Sequence, residues 1–130
     1  MNQPIKLLVN AIPLGYVSDD ELARAYSGAL AMIFPSSYEG FGLPILEAMA
    51  CGCPVVTTRE ASLPEVAGEG AIFMKSPRDV DDLAGILKDL ADDPDVRQRL
   101  IDKGLARARG FSWEETARRT FEAFEVVFKS

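Results

Sequence analysis

The sequence predicts an α/β fold, a parallel sheet with flanking helices, built as a single domain over residues 1–130. Three observations carry this. Short apolar runs alternate with amphipathic helical stretches through the first two thirds of the chain, and strand–helix–strand order brings right-handed crossovers and parallel pairing. Residues 29–34 are apolar throughout, as in a strand covered on both faces. A chain of 130 residues has room for one core, not two.

Taken in order, residues 12–17 read as the first strand, with residues 5–9 as a piece of their own. Ser18 and Glu21 form a capping box and start a helix with Leu22, Ala25 and Tyr26 on one face. The strand at 29–34 follows, then a loop at 35–42 and a helix from about Pro44 to Ala50, ended by Gly52. Residues 54–57 are another buried strand and 71–74 a short fourth one. The last third is helical. Ser76-Pro77 opens a helix with Asp79 at its third position and an apolar stripe of Val80, Leu83, Ala84, Leu87 and Leu90. Asp93-Pro94 opens the next, which stops at Gly104 or Gly110. Ser112 and Glu115 form a second capping box, and the final helix gathers Trp113, Ala117, Phe121, Phe124 and Phe128 on one face.

Composition narrows the function. A net charge of −6 disfavours nucleic-acid binding through phosphates and adhesion to an anionic membrane, while leaving room for a local phosphate pocket. No apolar run reaches the ~18 to 20 residues of a membrane span, and the start lacks a secretory signal pattern. The expected location is cytoplasmic. Cys51 and Cys53 flank Gly52, a spacing poorly suited to a structural disulfide, and read as small buried residues. The chain contains no histidine, which removes Ser-His-Asp and Cys-His nucleophilic schemes. No metal and no cofactor is expected.

The chemistry concentrates at residues 35–47, P-S-S-Y-E-G-F-G-L-P-I-L-E. This stretch leaves the carboxyl end of a strand and enters a helix, the place where open α/β sheets bind ligands. Gly40 and Gly42 allow close backbone approach, and Pro44 suits a first helical turn. Free N–H groups around Gly42, Leu43 and Ile45, backed by the helix dipole, suit a phosphate. Glu39 and Glu47 bracket the loop, and each carboxylate accepts two hydrogen bonds from a vicinal diol. A phosphate cradle between two diol receptors matches a sugar–diphosphate–ribose chain. Each carboxylate also has a plainer reading, as a loop charge or a helix-dipole partner.

Glu39 and Glu47, with seven residues between them, resemble the E-x7-E motif of the group 1 retaining glycosyltransferases. The surrounding F-P-S-S-Y-E-G-F-G-L-P-I-L-E-A-M-A-C-G-C-P-V-V, the later S-L-P-E-V and F-S-W at 111–113 resemble that family too. The resemblance runs from about Leu14 to the end. It implies a Rossmann-like parallel sheet, the incomplete C-terminal half of the two-domain GT-B architecture, and transfer of a hexose from a nucleotide diphosphate sugar to an acceptor hydroxyl with retention. By the same resemblance Glu39 contacts donor sugar hydroxyls near the reacting carbon. Gly40, Phe41 and Gly42 give backbone contacts to sugar and phosphates, Leu43 an amide to the distal phosphate, and Glu47 receives the ribose diol. Ser36 either reaches a phosphate or caps a turn. Glu65 matches the pattern and reads as a cap before a ligand contact. Trp113 and the Phe stripe read as core or interface.

The family places an acceptor-binding domain and an opening βαβ unit, with a cationic pair for the diphosphate, ahead of this region; residues 1–17 offer no counterpart. The expectation is therefore a donor-binding part that does not transfer sugar alone. A non-catalytic nucleotide-sugar- or phosphate-binding interaction module is the alternative. The motif specifies neither sugar, base nor acceptor. An unpaired edge at 29–34 and the Phe stripe point to a homodimer or to the missing N-terminal half as partner, unless residues 5–9 fold back onto that edge.

Overall fold

The computed structural model describes residues 10–129. Six α-helices and three strands follow the order α1 (Asp19–Gly28), β1 (Met32–Phe34), α2 (Leu43–Ala50), β2 (Val55–Thr58), α3 (Leu63–Ala67), a 3-10 turn at Gly68–Gly70, β3 (Ala71–Met74), α4 (Val80–Asp92), α5 (Pro94–Arg109) and α6 (Trp113–Lys129). The sheet is parallel with order β1-β2-β3. Met32 lies opposite Val55, and Val55 opposite Ala71. The α/β class read from the sequence holds.

The central strand is buried along its whole length. Val55 faces a cluster with Ile45 and Met49 of α2 and Leu63 and Val66 of α3. Val56 faces the other way, to Met74, Leu90 of α4 and Leu100 of α5. Alternation along β2 thus feeds two layers of helices, the reason the strand has no solvent-facing side. Burying a side chain such as Ile45 or Leu90, each fully inaccessible, contributes about 1.5–3 kcal/mol.

Three readings need correction. Residues 12–17 form no strand: Ile12, Leu14 and Tyr16 are 82%, 67% and 97% exposed. Pro13 has no N–H to give a ladder, Gly15 turns to φ +65°, and no strand of the described residues lies alongside. The alternation of apolar residues there was a misleading signal. The run at 29–34 is a strand only over Met32–Phe34 and only half-buried, because β1 is an edge among the described residues. In the first helix of the last third, Asp79 rather than Ser76 is the cap: its carboxylate accepts from Asp82 N–H at 2.9 Å, α4 starts at Val80, and Val80 and Ala84 are exposed while Leu90 is buried. Residues 5–9 lie outside the described residues.

Other local signals hold. Ser18 and Glu21 form the full capping box of α1. Asp93 caps α5 through Asp95 and Val96 N–H, and the helix ends at Gly110. Ser112 caps α6 by accepting from Glu115 N–H at 3.1 Å. The Glu115 carboxylate turns instead to Arg118 and Arg119, so only half of the second box forms. No helix among the described residues is long and apolar enough to cross a membrane.

Candidate functional site

The end of β1 and the loop after it are held by hydroxyls from the neighbouring strand β2 and from the start of α3. Thr57, fully buried, donates from Oγ1 to Phe34 O at 2.9 Å. Thr58 donates to Ser36 O at 2.6 Å. Ser62 Oγ lies 3.3 Å from Glu39 O and 3.2 Å from Phe41 O. Thr57 and Thr58 end the buried strand β2, where an unpaired hydroxyl would be costly; the loop carbonyls meet that need.

Gly42 ends the loop as the N-cap of α2, at φ +94° and ψ +41°. That left-handed conformation suits glycine, and a Cβ there would come within 2.9 Å of Leu63 Cδ2. Gly40 differs, since a Cβ there would meet nothing within 4 Å. Open space stands where the second glycine of the pair has a packed neighbour. Pro44 occupies the first turn, as expected.

The amides divide unequally. Ile45 N–H donates to Gly42 O at 3.0 Å and so is not free, a correction to the sequence reading: the first turn tightens and consumes it. Gly40, Gly42 and Leu43 N–H meet no acceptor among the described residues. Gly42 is buried, and buried backbone donors are rarely left unpaired. These donors sit at the positive end of α2.

Of the two carboxylates, Glu39 is half-buried and Glu47 exposed. Glu39 Oε1 accepts from Ser36 Oγ at 3.2 Å. The Ser36 hydroxyl also lies 3.0 Å from Tyr38 O, so it closes a local turn and steadies Glu39. Glu47 projects from α2 toward an open, largely apolar groove of about 550 Å³ lined by Phe41, Leu43, Leu46, Phe111 and Trp113. Glu47 is the one charged residue among that groove's lining residues. Tyr26 of α1 lies nearby; burial, then the negative charge of Glu47, raises its phenol above the ordinary value. Burial likewise pushes the Cys53 thiol up, as befits a packed cysteine; Cys51 is half-buried.

Phe41 links the loop to the C-terminal helices. Its ring meets Phe111 edge-on, and the Arg107 guanidinium covers Phe111 at 4.9 Å. Arg107 Nε donates to Val66 O at 2.9 Å and Nη2 to Glu65 O, closing the C-terminal end of α3. Glu65 itself sits exposed in the first turn of α3, as a helix-start residue does.

The loop thus brings Ser36, Glu39, Gly40, Phe41, Gly42 and Leu43 to the carboxyl end of β1, while Glu47 follows in the second turn of α2. Sequence reasoning missed Thr57, Thr58, Ser62 and Arg107, whose contacts here span 21 to 42 positions.

Comparison with known proteins decides the family. Residues 5–107 match the family described as Glycosyl transferases group 1. This chain belongs to that family. Over 115 residues the chain is 47% identical to the O-antigen chain mannosyltransferase B of Escherichia coli, covering 88% of this chain and 30% of that protein. It is 43% identical over 112 residues to the MMP alpha-(1->4)-mannosyltransferase of Mycolicibacterium hassiacum, covering 84% of this chain and 27% of that one. Sucrose-phosphate synthase from Thermosynechococcus elongatus superposes with a TM-score of 0.74 at 33% identity, over 89% of this chain and 30% of that chain. The chain therefore matches less than a third of the length of these relatives.

Proposed function

We propose that these residues form the donor site of a retaining glycosyltransferase, the part that grips a nucleotide diphosphate sugar while a hexose passes to an acceptor hydroxyl. One observation carries the reading: amides of Gly40, Gly42 and Leu43, unpaired among the described residues, lie in the chain between two carboxylates, Glu39 and Glu47. The amides take the diphosphate, Glu39 the sugar hydroxyls and Glu47 the ribose diol. Ser36 acts by steadying Glu39 rather than by reaching a phosphate.

In the transfer, the bond from the anomeric carbon to the diphosphate oxygen breaks. The acceptor oxygen bonds to the same carbon and gives its proton to the departing diphosphate oxygen. Negative charge grows on the departing diphosphate, where amides and the helix dipole are already aimed. Such fixed donors stabilise developing charge without reorganising. The names of two relatives make mannose the first sugar to try.

Whole-enzyme transfer is proposed to need surface beyond these 130 residues, since the relatives are more than three times longer over their full length than the shared part. Calorimetry on the 130-residue chain with a panel of nucleotide sugars, paired with a transfer assay, tests both statements. Binding without transfer is the expected result. Absence of binding across the panel rejects the donor site, and transfer by the chain alone rejects the division of labour.

A further inference from the structure

We propose that Ser62 is a positioning residue for the donor loop: its hydroxyl draws the carbonyls of Glu39 and Phe41 toward α3 and so turns the amides of Gly40 and Gly42 the opposite way, toward an anion. The proposal rests on the donor-site reading above and adds to it the residue that aims the donors.

The argument starts from the peptide unit. A trans peptide is planar, with its C=O and its N–H on opposite sides, and the described residues contain no cis bond. Glu39 O and Gly40 N–H share one such unit; Phe41 O and Gly42 N–H share another. Ser62 Oγ lies 3.3 Å from the first carbonyl and 3.2 Å from the second. Both amides therefore point away from Ser62. Neither meets an acceptor among the described residues.

Ser62 is also in an unexpected use. It occupies the N-cap of α3, where a serine ordinarily accepts from the helix amides. It makes no such bond. Its one proton is shared between two carbonyls more than twenty positions upstream. Thr58 does the same one step back, at Ser36 O. The connection from β2 to α3 therefore works as a row of hydroxyls that collects loop carbonyls, and the loop's donors are left on the other side.

Amide-resolved NMR of the 130-residue chain, titrated with inorganic pyrophosphate and separately with a nucleoside, tests this. In the wild type, pyrophosphate should move the Gly40 and Gly42 amide resonances. Ser62→Ala should shift those two resonances in the free protein and weaken pyrophosphate roughly three- to tenfold, the scale of one or two modest hydrogen bonds. Nucleoside affinity should stay unchanged, because Glu47 sits on α2 and is untouched. Ser62→Thr and Ser62→Val, equal in shape, guard against a fold defect: threonine should bind as the wild type and valine as alanine. Equal pyrophosphate affinity for threonine and valine overturns the role of Ser62 while leaving the donor site standing. A parallel loss of nucleoside and pyrophosphate affinity overturns it too, as a general structural effect. Wild-type loop amides indifferent to pyrophosphate overturn the donor site and this inference together.

Discussion

Phe41 and Phe111 meet edge to face, with ring centroids 6.1 Å apart and planes at 76°. One ring belongs to the glycine-rich loop and the other to the turn between α5 and α6. Arg107 covers the second ring and hydrogen-bonds the end of α3. A loop rich in glycine is thereby pinned to two helices at its midpoint. Aromatic pairs of this kind contribute about 0.5–1.5 kcal/mol beyond area burial. A double-mutant cycle with Phe41→Leu and Phe111→Leu should show coupling of that size in urea unfolding. Additive effects would mean the rings are merely neighbours.

Gly40 and Gly42 should respond in opposite ways to the same substitution. Gly42→Ala forces a side chain into φ +94° and against Leu63, and the left-handed strain alone costs about 1–2 kcal/mol. Gly40→Ala enters open space and should change stability by less than about 0.5 kcal/mol. Its effect should appear in ligand binding instead, where a Cβ stands between backbone and sugar. Chemical unfolding and calorimetry on both variants separate the two. A stable Gly42→Ala would contradict the conformational argument, and unchanged donor affinity in Gly40→Ala would contradict the ligand one.

These two glycines mark how far the sequence could be read. The pattern G-F-G-L-P between two carboxylates placed the loop and the helix start correctly, because glycine, proline and helix-start chemistry act within a few residues. The spacing did not tell that Gly42 is needed by its own backbone and by Leu63, twenty-one positions on. Thr57, Thr58 and Ser62 escaped for the same reason, as hydroxyls whose partners become near only after the sheet pairs. Residues 12–17 failed the other way: alternating Ile12, Leu14 and Tyr16 satisfied a local rule, but a strand exists only with a neighbour to bond.

The two carboxylates should separate by ligand. Glu47→Gln should weaken a nucleoside diphosphate more than inorganic pyrophosphate, since the proposed target is the ribose diol. Glu39→Gln should weaken a nucleotide sugar more than the matching nucleoside diphosphate. Removing one charge-assisted hydrogen bond costs about 1.5–3 kcal/mol, or roughly ten- to a hundredfold in affinity. Calorimetry with the three ligands decides. Equal losses for a ligand pair would remove the role assigned to that carboxylate.

The start of α6 carries a pH dependence with a definite sign. Glu115 accepts from Arg118 Nε at 2.8 Å and from Arg119 Nε at 2.6 Å, and these hydrogen bonds hold its carboxyl down to about 2 from an ordinary 4.5. A lowered folded value means that the contribution is present above pH 4.5 and is lost as pH falls toward 2. The amide resonances of residues 116–119 in the folded protein should therefore titrate with a midpoint of about 2. Glu115→Gln should flatten the titration, and roughly 1 M salt should blunt it, because these groups are solvent-exposed. A midpoint at the ordinary glutamate value would mean the two arginines do not hold it.

We propose that α6, rather than β1, mediates self-association. The outer edge of β1 is unpaired among the described residues, yet β1 is three residues long, and very short edge strands are poor templates for pairing. Strand geometry leaves the Ile33 N–H facing that edge, because Met32 N–H already donates inward to Pro54 O at 2.8 Å and neighbours alternate. α6 offers more: Phe121, Phe124 and Phe128 are 65%, 57% and 83% exposed on one face, and exposed apolar patches of that kind mark interfaces. Light scattering at micromolar concentration should show a dimer that Phe124→Glu converts to a monomer. The Ile33 amide should exchange with deuterium equally fast at low and high protein concentration. Protection of Ile33 that grows with concentration, together with a dimer that survives Phe124→Glu, would move the interface to the strand. A wild-type monomer at all concentrations would remove self-association from both surfaces.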